Sequence, residues 1–447
     1  MKLRGSAVLT AAWLVLCVAS GAPRACAASA APAPTSVTLK NGLRVVLAPD
    51  SAAMAVDVAV WYPAGTRAER AGLAGASHLA ERLMFRGSTG VPDGEHVRRV
   101  LAEGGSVNTQ MSPDYACFWQ TVPAEALPLA LRLEAARMGG LSYGPDAFAA
   151  ERRAARADLR GWRDRPVVTL ALAQLRATLF EGHPYGRLLY GTDADLARMT
   201  AKDVEAWRRG AYAPGSAVLT IVGRFDAEAA LALVRRTFEP LPKGSPATLP
   251  ALKELAPGER RNWAREQTPA RLLLAGWRVP PASDPDAPAL ELLAQVLGGG
   301  EASRLNGALV HDWHAALLTQ AGVVPNREAS MFWAMAALGA DADSSTAERA
   351  LLDQVGRLAR EPVPGDELER ARAQLLTGEL FRQQTVRARA QAIGEAQVFA
   401  GDPANAERRL AQLASLTPAD LQRVAQRVLV ETARAIVWLA PREEAGR

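Results

Sequence analysis

From Ser36 to Asp50 ("SVTLKNGLRVVLAPD") two alternating runs of apolar and polar residues flank Asn41-Gly42. Alternation with a period of two puts successive side chains on opposite faces of an extended chain, and Asn-Gly is a favoured hairpin turn. The pattern predicts a β-hairpin. Alternation returns at Met54 to Trp61 and at Asp114 to Val122 ("DYACFWQTV"), predicting two more strands. Residues 71–86, 95–103, 124–138 and 146–163 have helical apolar spacing instead. Apolar runs at Ala217 to Gly223 ("AVLTIVG") and Ala433 to Ala440 ("ARAIVWLA") read as strands that each follow a helix. Strands mixed with long helices predict an α+β fold: a mixed or antiparallel sheet with helices packed mainly on one face.

That unit is written twice. "LARMTAKDV" begins at Leu196 and "LASLTPADL" at Leu413. Thr200 and Thr417 are 217 positions apart, as are Asp203 and Asp420, and Glu151-Arg152 precedes Glu369-Arg370 by 218. Each Thr with an Asp three residues on has the form of a helix N-cap with an acid in the first turn. Three matches at nearly one offset argue for duplication. The expected organisation is two tandem homologous halves, 36–245 and 260–447, joined by a Pro- and Lys-containing linker at 246–259.

The 447 residues suffice for two domains, and 49% hydrophobic with 22% charged residues fits a globular protein with a substantial core. The net charge of +5 comes from interspersed residues, without the basic blocks and interleaved aromatics of a nucleic-acid binder. Lys2 and Arg4, the apolar run Ala7 to Ala19 and the small residues around Ala25-Cys26-Ala27 and Ala28-Ser29-Ala30 read as a signal peptide over 1–30. The run is short for a membrane span, so export, with the periplasm as destination, is the expectation and no stable span remains after cleavage. Cys17 and Cys26 would leave with the leader. Cys117 would then stand alone, with no internal disulfide possible.

Residues 77–88, "SHLAERLMFRGS", hold the candidate chemistry. His78 and Glu81 would begin an inverted zinc motif, H-x-x-E-H, if residue 82 were histidine; it is Arg82. With "NGLRVVLAPD", "GGSVNTQMSPDYACF", "HPYGRLLYGT" (183–192), "YAPGSAVLTIVGRFD" (212–226) and "GGGEASRLNGALV" (298–310), the chain resembles the pitrilysin/insulinase family of zinc metallopeptidases along nearly its whole length after the leader. The resemblance implies paired α+β halves that assemble, in one chain or two, around a peptide-sized chamber.

Positions i, i+3 and i+4 share a helix face, so an intact motif offers two imidazoles to zinc and a Glu to activate its water. By the resemblance, His78 fills the first ligand position, Glu81 the general-base position, and Asp158 the third ligand position, where the family has Glu. Arg82 stands in place of the second imidazole, and a guanidinium has no lone pair to give. The metal and catalytic residues are therefore expected to be vestigial, with no cofactor, and a bidentate Arg82–Asp158 ion pair, joined by Glu81, is expected to pin the two helices where zinc would. Peptide capture as an added strand is expected to outlive the metal, with Gly104, Gly105 and Asn108 keeping the turn before the family's edge strand.

The resemblance also implies an Arg and a Tyr from the second half that hold the substrate carbonyl. Their places fall at Val310 and Leu317, and no Tyr occurs in that half. His311 and His314 in "HDWH" are expected on one helix face, His183 in a structural loop, His96 on a solvent-facing helix and Cys117 in the core. The expected role is a non-catalytic subunit paired with a zinc-bearing paralogous subunit or with itself as a homodimer. A weak zinc peptidase using His78, Glu81 and Asp158 and a peptide-binding scaffold without a protease partner are the alternatives.

Overall fold

In the computed structural model, which describes residues 32–245, 255–266 and 268–442, the opening hairpin is formed by β1 (Thr35–Thr38) and β2 (Arg44–Pro49). The connection Leu39–Leu43 is longer than a two-residue turn: Gly42 takes φ 87°, and the Asn41 carboxamide oxygen accepts from the Leu43 amide at 3.2 Å. The leader predicted over 1–30, Cys17 and Cys26, and residues 246–254 of the predicted linker lie outside the described residues.

The remaining strands are β3 (Ala55–Tyr62), β4 (Ser106–Met111), β5 (Ala116–Pro123), β6 (Val218–Gly223), β7 (Arg260–Glu266), β8 (Arg271–Val279), β9 (Ala316–Val324), β10 (Ser330–Leu338) and β11 (Arg434–Pro441). They form two sheets, ordered β1-β2-β6-β3-β5-β4 and β7-β11-β8-β10-β9. Without β1 the two orders coincide. Each has one parallel pair, β2 with β6 and β7 with β11, and antiparallel pairs elsewhere. The offset of about 217 positions in sequence is thus a repeat of topology.

The first half carries α1 (Ala76–Leu83), α2 (Glu95–Ala102), α3 (Leu127–Gly139), α4 (Pro145–Arg160), α5 (Val167–Leu179), α6 (Asp193–Arg198), α7 (Ala201–Ala211) and α8 (Ala227–Phe238). The second carries α9 (Ala287–Gly298), α10 (Ser344–Arg360), α11 (Gly365–Arg382), α12 (Val386–Ala400), α13 (Asn405–Ser415) and α14 (Pro418–Val428). Thr200 and Thr417 both close capping boxes, on α7 and α14, with Asp203 and Asp420 at the third position. Each pairing satisfies two amides that a helix start leaves open.

Alternation along the strands sorts the core into layers. Val45, Leu47, Val56, Val58, Val60, Leu219 and Ile221 face the first half's own helices. The intervening Val46, Ala48, Ala59, Trp61, Val218 and Val222 face Ala390, Ile393 and Val398 of α12, a helix of the second half. The exchange is reciprocal: Ala171, Leu175 and Leu179 of α5 pack on Leu272, Leu274, Val437 and Leu439 of the second sheet. Each sheet therefore keeps its own helices on one face and takes one helix of the other half on its opposite face.

Candidate functional site

α1 follows β3 by a loop whose end is fixed from inside. The Glu69 carboxylate accepts from the amides of Gly75 at 3.0 Å and Ser77 at 2.9 Å, and Asp195 accepts from Ala74 at 3.1 Å. Burial raises the Glu69 carboxyl to about 7, against the stabilising pull of the two amides. Gly75 sits at φ 97°, where a Cβ would meet Leu196 at 2.9 Å. These contacts set the direction in which α1 presents its face to α4.

On α1, His78, Glu81 and Arg82 share that face, as the spacing predicts. On α4, Glu151 and Asp158, two turns apart, meet them. Arg82 Nε donates to Glu151 Oε2 at 2.5 Å and Arg82 Nη1 donates to Asp158 Oδ2 at 2.9 Å. His78 Nε2 lies 3.0 Å from the same Asp158 oxygen, and His78 Nδ1 lies 3.4 Å from Glu81. Arg86, one turn on, donates through Nε to the other oxygen of Glu151 at 2.5 Å. The Tyr190 ring stands edge-on to the His78 ring with centroids 4.8 Å apart.

The Arg82–Asp158 contact has the expected partners but a different form. The guanidinium spends one nitrogen on each of two carboxylates rather than two on one, and Glu81 turns to His78 instead of joining it. Glu151 is the residue that the sequence reading missed at this site, having served there only as a marker of the repeat. Its position seven residues before Asp158 on one helix was the available signal, because that spacing returns to the same face.

These residues do not fit a zinc centre. A catalytic zinc takes three protein ligands and keeps one position open. Of the three places, His78 and Asp158 can donate, and the third is a cation that is hydrogen-bonded to Asp158 Oδ2, the same oxygen that His78 Nε2 approaches. Among the described residues, no group of three or more His, Cys, Asp or Glu side chains is arranged to hold a metal ion.

Asn108 lies inside β4, beyond the Gly104-Gly105 turn, with its side chain exposed and its carboxamide oxygen accepting from Thr109 at 2.8 Å. β4 is the last strand of its sheet, so its outer backbone edge has no strand partner among the described residues. In the second half, Val310 is partly buried in a π-helical turn, Asn306–Asp312, and Leu317 is exposed on β9.

Two expectations about histidines fail. His311 and His314 do not share a helix face: the turn ends at Asp312, and His314 follows at φ 49° with Nδ1 near its own chain's Val310 oxygen. The short connection into β9 unwinds the segment before a further turn forms. His96 is not solvent-facing: it is 4% exposed, beneath α2, and burial with the nearby Arg137 lowers its pKa to about 3. Histidine is amphipathic enough for either face, and the alternation of α2 did not decide between them. His183 caps the turn Pro184–Gly186, accepting from the Tyr185 amide at 3.1 Å, and Cys117 is fully buried, its thiol pushed up by desolvation.

Two family models match this arrangement: "Insulinase (Peptidase family M16)" over residues 44–193 and "Peptidase M16 inactive domain" over 198–375. The chain belongs to the M16, or insulinase, family of peptidases. It is similar to zinc protease PqqE of Helicobacter pylori, with 30% identity over 281 residues that cover 62% of this chain and 63% of that protein. The match thus spans less than two thirds of that relative's length. The crystal structure of a protease from Helicobacter pylori matches with a TM-score of 0.86 and 25% identity, covering 92% of this chain and 100% of that one. The periplasmic protease PqqL of Escherichia coli shares the fold, with a TM-score of 0.76 at 16% identity over 92% of this chain and 48% of that chain.

Proposed function

We propose that this protein is an exported, catalytically silent member of the M16 family that closes a peptide-holding chamber together with a zinc-bearing relative. The observation that carries the reading is Arg82, whose guanidinium bridges Glu151 and Asp158 where the family places an imidazole. His78, Glu81 and Asp158 are then vestiges of a metal site, and the ion pairs take over its structural task of joining α1 to α4.

Pairing is supported by proportion: the chain corresponds to 48% of PqqL, so a longer relative contains room for a second such unit. The open edge of β4, with Asn108 exposed on it, supports retention of peptide binding, because strand addition uses backbone groups and no metal. The leader pattern at 1–30 supports export, and no helix among the described residues is long and apolar enough to cross a membrane.

The test is a mixed peptide library incubated with the purified protein, with and without a chelator. The expected result is no chelator-sensitive cleavage, and its gain in an Arg82→His, Asp158→Glu variant supplied with zinc. Chelator-sensitive cleavage by the unaltered protein overturns the silent-subunit reading. Affinity capture from the native envelope is expected to recover a relative with intact H-x-x-E-H; self-association alone contradicts the pairing.

A further inference from the structure

A cavity of about 530 Å³ lies at the end of the first sheet, on the side covered by α12, opposite the face on which α1 packs. The beginnings of β2 and β6, the loop leaving β3, the end of α12 and the turn between β9 and β10 enclose it. Its volume is in the range of small-ligand sites. Among the described residues, the only charged ones lining it are Arg44 and Arg327. No carboxylate pairs with either guanidinium among the described residues.

The backbone around both cations is fixed while their side chains are left free. Arg44 is held in the β1–β2–β6 ladder. The Arg327 amide donates to Asp114 at 2.9 Å, and the neighbouring Asn326 is buried and bonded to Ser330 and Ala329. The C-terminus of α12 contributes about half a negative charge at its carbonyls, less than two full cations require.

The floor holds a second, independent signal. Gln397 is 3% exposed, lines the cavity, and has no partner for either Nε2 or Oε1 among the described residues. A buried carboxamide with both ends unpaired is costly to keep. It needs a ligand that accepts at one atom and donates at the next. A fully deprotonated anion such as sulfate satisfies the arginines and the Nε2 donor but has no hydrogen to offer Oε1.

We infer that this cavity binds the carboxylate-bearing end of a peptide. The terminal carboxylate lies between Arg44 and Arg327, and the last peptide group pairs with the Gln397 carboxamide, accepting from Nε2 and donating to Oε1. The site is separate from the α1–α4 contact and from the β4 edge, and it does not depend on whether metal is bound.

The experiment uses the full chain and two pools of N-terminally labelled mixed-sequence pentapeptides, one ending in free carboxylates and one in amides, read by fluorescence anisotropy. Strand addition on β4 does not distinguish the pools; the cavity does. The expected result is at least tenfold tighter binding of the acid pool, a preference lost in an Arg44→Gln, Arg327→Gln variant. Both arginines are exposed and make no side-chain bonds among the described residues, so the variant keeps the fold's described interactions. Gln397→Leu is expected to weaken the acid pool without making the pools equal. Equal binding of acid and amide by the unaltered protein overturns the inference. So does an unchanged preference in the double arginine variant, or competition by inorganic phosphate as effective as by an unlabelled acid peptide.

Discussion

Arg82 holds two carboxylates, one of them nearly buried, and its removal leaves Glu151 with Arg86 alone and Asp158 with His78. Arg82 is partly exposed, so the loss is smaller than for a fully buried pair: Arg82→Ala is expected to cost about 1–2 kcal/mol in urea unfolding. Arg82→Lys should recover only part of that, since an ammonium is a point charge where a fork spans two partners. His96 supplies a pH test. Its pKa falls from 6.5 to about 3 in the fold, so the unfolded chain takes up a proton first as pH drops. Its contribution is fully present above 6.5 and is lost on acidification toward 3. Comparing the unaltered protein with His96→Asn from pH 7 to pH 4 should show about 3 kcal/mol less acid loss in the variant. A parallel pH dependence in both contradicts this. Asp57 and Glu69, both raised to about 7 by burial, act in the opposite sense and cancel in that difference. The Arg82 substitution was legible in the sequence because helical spacing alone places residues 78, 81 and 82 together. The Arg82–Glu151 bond was not, because helix α4 offers several carboxylates and only packing selects among them.

The elements themselves were largely legible. The Thr-x-x-Asp capping boxes of α7 and α14 and the alternating strands β2, β3 and β5 depend on local patterning. What covers each sheet's second face was not legible. Strands apolar on both faces demand cover without naming it, and α5 and α12 are amphipathic in ways many helices are. The close fit at that exchange yields a sign test. In a helix interior, Gly→Ala normally gains up to about 1 kcal/mol. At Gly394 in α12 a Cβ would lie 2.2 Å from the fully buried Trp61 indole, and overpacking costs about 1–3 kcal/mol. Gly394→Ala should therefore lower the thermal midpoint. Gly378→Ala in α11, where a Cβ meets nothing within 4 Å, should raise it. A stabilised Gly394→Ala variant would contradict the packing of α12 on the first sheet.

On the scale of the whole molecule, one topology is used twice and each copy departs at a different place from the pattern that the family resemblance implies. The first half keeps a helix pair shaped like a metal site but fills it with a guanidinium. The second half has neither a tyrosine nor a hydrogen-bonding side chain at the places, Val310 and Leu317, where the family resemblance implies substrate-holding groups. The repeat was legible because capping residues kept their offset; the interlocking of the halves was not, because it joins residues such as Trp61 and Ile393 that no local pattern relates. The most direct measurement is the zinc content, by mass spectrometry, of the native full-length protein dialysed against excess zinc and then against metal-free buffer. A replaced metal site predicts far less than one zinc per chain, rising toward one in the Arg82→His, Asp158→Glu variant. One zinc retained per unaltered chain, and lost on His78→Ala, would contradict the account.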